Sequence, residues 1–116
     1  MVQLRVKLVI VGLALCLATS RAAAQGPDGK ALYQQNCAAC HGAKGVPAKG
    51  MLTVYPDLKA FSDPAWAKLP ADSIATVIHK GSGKNMKGFG DKLSAEQVTA
   101  IAAFVKTLAA GAAPAP

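Results

Sequence analysis

The chain has 116 residues, with 13 basic against 6 acidic side chains and a formal net charge of +7. That length holds one small domain and little else. Both arginines, Arg5 and Arg21, lie near the start, and all later basic residues are lysines. Sequence-specific nucleic-acid reading depends heavily on arginine forks, so a nucleic-acid partner is excluded.

Met1 to Lys7 is a short basic start, Leu8 to Ala18 an apolar run, and Ala22-Ala23-Ala24 a small-residue end. Together they make a secretory signal over 1–24, cut before Gln25. The apolar run is shorter than the roughly 20 residues that cross a bilayer comfortably, so retention as an anchor is the weaker rival. Cys16 follows Leu15, where a lipoprotein signal has a small residue, and it leaves with the signal. The mature chain then carries ten lysines against six acids, a net charge of +4. A domain over 25–110 is expected, followed by a disordered tail over 111–116, where small residues and proline prevail. So small a domain commonly needs a disulfide, a metal or a large cofactor.

Lys30 to Asn36 predicts a short helix with Leu32 and Tyr33 inward. Gly42 to Ser62 reads as loop, punctured by Gly42, Gly45, Pro47, Gly50 and Pro56; long loops in small domains tend to wrap something. Pro70 suits the first turn of a helix through Ile74, Val77 and Ile78, with Gly81 just past its end. Gly81 to Gly90 is a second glycine-rich loop, holding Met86 and Phe89. Ser94 and Gln97 form a capping-box pattern ahead of Val98, Ile101, Val105 and Leu108 at helical spacing, with Phe104 beside them. No stretch alternates as a strand does, so the domain reads as all-α.

Cys37-Ala38-Ala39-Cys40-His41 carries the chemistry. In C-x-x-C-H the two thiols form thioethers with the vinyl groups of one haem, and the histidine ligates its iron. Attachment occurs after export, in agreement with the signal. The rivals are weaker. A thioredoxin-like pair wants a preceding strand. Structural zinc wants four ligands, and the mature chain offers Cys37, Cys40, His41 and a distant His79. A disulfide across two residues closes too small a loop to stabilise much.

A second axial ligand must come from Met51, Met86 or His79. Met51 is too near His41 in sequence to pass around the ring. Met86 has ample reach and polar neighbours unlike those of a core methionine. His79 would give a bis-histidine site, but it stands at a helix end, where a histidine is favourable anyway. Met86 is the preferred ligand, paired with His41 on the metal.

These residues together resemble a class I monohaem cytochrome c of the small bacterial soluble kind. The likeness runs through Asp28-Gly-Lys-Ala-Leu-Tyr33, Asn36 to Gly42, Pro56-Asp57-Leu58, Asn85 to Gly90, Leu93 to Val98 and Ala103 to Leu108. It implies about four short helices wrapped around one haem c, attached through Cys37 and Cys40. It also implies a close crossing of the first and last helices, with Gly29 and Tyr33 against Ile101 and Phe104. The Pro56 carbonyl would accept a hydrogen bond from the outer nitrogen of His41, and Leu58 would pack on the haem face. Tyr55 and Trp66 are candidates to hold the propionates. The position after the methionine, often proline in the family, is Lys87 here.

The function expected is a periplasmic one-electron carrier, a monomer and not an enzyme. Lys44, Lys49, Lys84 and Lys87 flank the ligand segments and would steer redox partners with acidic docking faces; the same lysines also serve solubility. Two alternatives stay open: a dedicated haem subunit of a periplasmic dehydrogenase or oxidase complex, and an open-site haem sensor or enzyme. A single C-x-x-C-H disfavours a two-haem peroxidase.

Overall fold

The structure is a computed structural model, and it describes residues 26–111. The signal segment and most of the tail lie outside the described residues.

Six helical segments follow one another: α1 (Gly29–Asn36), α2 (Ala38–His41), α3 (Lys49–Val54), α4 (Pro64–Ala67), α5 (Ala71–Lys80) and α6 (Ala95–Gly111). Two-residue strands β1 (Gly81–Ser82) and β2 (Met86–Lys87) pair antiparallel between α5 and α6. The expected all-α fold holds, with more and shorter helices than the four anticipated.

Each start has a local cause. Asp28 caps α1 through its carboxylate, which accepts from the Ala31 N–H at 3.1 Å. Asp63 does the same for α4, accepting from the Ala65 N–H at 2.9 Å, with Pro64 in the first turn. Pro70 stands at the N-cap of α5, just before its first turn, and Gly81 ends that helix at φ +86°. The capping box of α6 forms in both directions. The Ser94 N–H donates to Gln97 Oε1 at 2.9 Å, and the Gln97 N–H donates to Ser94 Oγ at 3.1 Å.

The core is small and built on α6. Val98, Ile101, Ala102 and Val105 are buried on it and pack with Tyr33 of α1 and Ile78 of α5. At the α1–α6 crossing, a side chain on Gly29 would collide with the Ala100 carbonyl. Tyr33 and Phe104 meet there with ring centroids 5.3 Å apart. The sequence-level pairing of Gly29 and Tyr33 with Ile101 and Phe104 therefore holds.

Three expectations need correction. The stretch 42–62 is not loop throughout, because α3 turns within it; six residues with Gly50 among them give no readable period. The glycine-rich segment after α5 is a hairpin, whose strands are too short to alternate. α6 runs one residue into the expected tail, through buried Ala109 to Gly111, since alanine is a strong helix former and packs where the helix still meets the core.

A contact absent from the sequence reading ties α4 to α6. The Lys106 ammonium donates to the Ala67 carbonyl at 2.8 Å and the Leu69 carbonyl at 2.9 Å. It thereby satisfies free carbonyls at the end of α4 and beyond it. Among the described residues the one ion pair is Lys59 with Asp63, at 3.8 Å on the surface.

Candidate haem site

The C-x-x-C-H segment begins where α1 ends. The Cys37 N–H donates to the Tyr33 carbonyl at 2.8 Å, closing α1, and the chain re-enters a helical turn at Ala38. Cys37, Cys40 and His41 therefore share one turn, with the His41 N–H donating to the Cys37 carbonyl at 3.0 Å. Gly42 ends it at φ +80°, where a side chain would strike the Val46 carbonyl.

Both cysteines are free thiols, Cys37 half-buried and Cys40 exposed. Burial, and behind it the neighbouring Cys40, pushes the Cys37 thiol up to about 11. Burial also lowers the pKa of His41, keeping its imidazole neutral, the form that ligates metals. Its ring nitrogen Nδ1 is sealed from solvent without a hydrogen-bond partner. Its neighbour is Phe61, stacked on it with centroids 5.0 Å apart and planes 24° from parallel.

That geometry corrects one expectation. The Pro56 carbonyl does not accept from His41 Nδ1, and Pro56 is exposed. The Phe61 N–H bonds back to the Gly45 carbonyl at 3.0 Å, laying the Phe61 ring over the imidazole, while α3 carries the chain out to the Tyr55–Pro56 turn.

Cys37 and Met86 pack against the same buried cluster, with Leu32, Phe61, Ile74, Phe89 and Phe104 also partly buried on it. Met86 lies on β2, opposite Ser82. The segment that follows is strapped to the end of α5: the Phe89 N–H donates to the Ile78 carbonyl at 2.8 Å, and the Gly90 N–H to the His79 carbonyl at 3.1 Å. The hairpin pairing and these two bonds tie the methionine segment to α5. The rivals sit elsewhere. His79 is exposed on the last turn of α5, its ring against Gly90, and Met51 lies half-buried on α3 outside the cluster.

Leu58 and Tyr55 are half-buried, and Trp66 is exposed on α4. Tyr33 was expected only to pack inward. It also donates its hydroxyl to the Gly42 carbonyl at 2.6 Å, tying the core to the end of the cysteine turn. Burial, then Cys37, pushes its phenol up to about 12. Sequence reasoning missed Phe61 altogether, because nothing local marks which loop residue returns to the histidine.

A haem fits this donor set. Two unpaired thiols and one neutral imidazole stand on a single turn beside a partly uncovered apolar face. Comparison with known proteins agrees. A family model described as "Cytochrome C oxidase, cbb3-type, subunit III" matches residues 24–105. This chain belongs to the class I c-type cytochromes. A cytochrome c6 of Microcystis aeruginosa is 33% identical over 78 residues, covering 67% of this chain and 90% of that one. The cbb3-type cytochrome c oxidase subunit FixP of Azorhizobium caulinodans is 36% identical over 94 residues, covering 75% of this chain but 30% of that protein. This cytochrome thus spans less than a third of that larger relative. The solved structure of the KustC0563 c-type cytochrome superposes with a TM-score of 0.62 at 32% identity, covering 71% of this chain and 98% of that one. Among the described residues no helix is long and apolar enough to cross a membrane.

Proposed function

We propose that this cytochrome is an exported, periplasmic, monomeric one-electron carrier with no reaction of its own. One haem c would be held covalently by Cys37 and Cys40 and ligated by His41 and Met86. The observation that carries the reading is the arrangement of these four residues. His41 shares one turn with Cys37 and Cys40 and buries its Nδ1. Met86 alone of the second-ligand candidates joins Cys37 on the apolar cluster.

The haem iron supplies the one-electron couple. The chain's own residues hold its surroundings fixed. The cysteine turn anchors one edge, the hairpin and its strap restrain Met86, and the α1–α6 core holds both through Tyr33 and Phe89. Rigid ligands keep reorganisation small, and methionine sulfur in an apolar pocket favours the ferrous state and hence a high potential. Leu58 would cover part of the ring, with Tyr55 and Trp66 near its propionates. Lys44, Lys49, Lys84 and Lys87 are all exposed and would guide an acidic redox partner to the ring's edge.

Absorption spectra of the purified holo-protein, with and without carbon monoxide, test the ligand set. The expected result is a low-spin ferric spectrum with a methionine–iron charge-transfer band in the far red and no carbon monoxide adduct at neutral pH. Met86→Ala should abolish that band and admit carbon monoxide. A wild type that binds carbon monoxide readily would instead make this an open-site sensor or enzyme. The names of the cbb3-type relatives favour a second reading, a dedicated haem subunit of a larger oxidase complex. Stable copurification with an oxidase or dehydrogenase would decide for it.

A further inference from the structure

α4 is four residues long, too short to be stable as a helix by itself. Its start is pinned by the Asp63 carboxylate, which accepts from the Ala65 N–H at 2.9 Å. Its other end is pinned from a distance. The Lys106 ammonium, carried on α6 next to buried Val105, donates to the Ala67 carbonyl at 2.8 Å and the Leu69 carbonyl at 2.9 Å. Carbonyls at the end of a helix have no partner within it and form its negative dipole end, so a cation is a favourable occupant. Immobilising a lysine costs up to about 2 kcal/mol of side-chain entropy, and two charge-assisted bonds offset that cost.

Trp66, the one tryptophan of the chain, stands inside this double anchorage. Its N–H donates to the Asp63 carbonyl at 2.9 Å, and its carbonyl accepts from the Leu69 N–H at 3.1 Å. The next carbonyl along, that of Ala67, is the first of the two Lys106 acceptors. The main chain at Trp66 is thereby fixed, while the residue as a whole stays 38% exposed. A side chain held at its root and open toward its tip suits contact with a group outside the chain.

We propose that Lys106 is a positioning residue for Trp66: from α6 it fixes the end of α4, and so the place from which the indole N–H reaches a haem propionate. The inference rests on the reading of Trp66 as a propionate contact and adds what holds it there. The placement of that contact is set by the same helix that packs the core against α1 and α5.

The test uses NMR of the ferrous holo-protein, following amide exchange in α4 and the single indole N–H signal. It compares the wild type with Lys106→Met and with Gly29→Ala, a change at the α1–α6 crossing that lowers stability without touching α4. In the wild type the Trp66, Ala67 and Leu69 amides should exchange at least about tenfold more slowly than in an unstructured peptide, a measurement that needs no variant. The indole N–H should show a nuclear Overhauser contact to a propionate methylene. Lys106→Met should speed those amides by about tenfold or more, the loss expected for bonds from a charged donor, and should weaken or abolish the indole contact. Gly29→Ala should keep that contact. A wild type with protected amides but no indole contact would overturn the propionate reading of Trp66. Unprotected α4 amides in the wild type, a Lys106→Met protein with unaltered amides and contact, or equal loss of the contact in Gly29→Ala would overturn the role given to Lys106.

Discussion

Replacing Gly29 by alanine sets two effects of opposite sign against each other. Alanine improves helix propensity by at most about 1 kcal/mol over glycine, and less in a first turn. Against this, the new methyl would meet the carbonyl of Ala100 and the amide of Ile101, both backbone atoms of α6 that cannot rotate away. Relief requires α1 to lift from α6 or its first turn to unwind, which would also strain the Asp28 cap. Overpacking of this kind costs roughly 1–3 kcal/mol. The collision should win, leaving Gly29→Ala less stable by about 1–2 kcal/mol, a fall in Tm of roughly 5–15 °C for a domain of this size. Gly50→Ala is the control, since a side chain there on α3 meets nothing within 4 Å. That variant should gain a few tenths of a kcal/mol, up to about 1. Reversible denaturant and thermal unfolding of the two holo-proteins would measure the contrast. Equal stability of Gly29→Ala and Gly50→Ala would refute the close crossing of α1 and α6.

Lys106→Met keeps the side-chain stem but removes both bonds to the Ala67 and Leu69 carbonyls, so thermal unfolding should show a loss of about 1–3 kcal/mol. A variant within 0.5 kcal/mol of wild type, as for an ordinary surface change, would make that contact energetically idle. The raised pKa of Tyr33 also has a stability consequence with a definite sign. Its folded value of about 12 exceeds the ordinary 10, so the unfolded chain releases the phenolic proton first. Stability is then lost as pH rises through 10 to 12, by roughly 1.4 kcal/mol at pH 11. The wild type should lose that much more than Tyr33→Phe between pH 9 and 11 in denaturant titrations; parallel losses would contradict it. Electron transfer to an acidic partner should slow steeply with added salt, and neutralising Lys84 and Lys87 together should flatten that dependence. A rate indifferent to salt would remove those lysines from docking.

Features set by neighbours in sequence were legible before any coordinates. The capping box before α6 needs only Ser94 and Gln97, three residues apart, and it formed as read. The apolar spacing of Val98, Ile101 and Val105 is long enough to declare its period, and all three are buried. The cap and proline pair Asp63-Pro64 carried an equally local signal for α4 that the reading overlooked. α3 gave no comparable signal, because six residues that include Gly50 cannot establish a repeat and their helix rests on tertiary context.

Cys37, Cys40 and His41 belong wholly to the sequence: one turn of helix brings them together whatever the rest of the chain does. The surroundings of His41 do not. Which residue covers the imidazole depends on how the stretch after α3 returns to Gly45, and the fold chose Phe61 where the family pattern pointed to Pro56. Lys106 likewise finds carbonyls 37 and 39 residues away, a choice fixed by where α4 docks on α6. Local spacing determined the donor set because a helical turn is a short-range object. Its orientation and electronic setting are long-range properties, decided only when the loops are packed against the α1–α6 core.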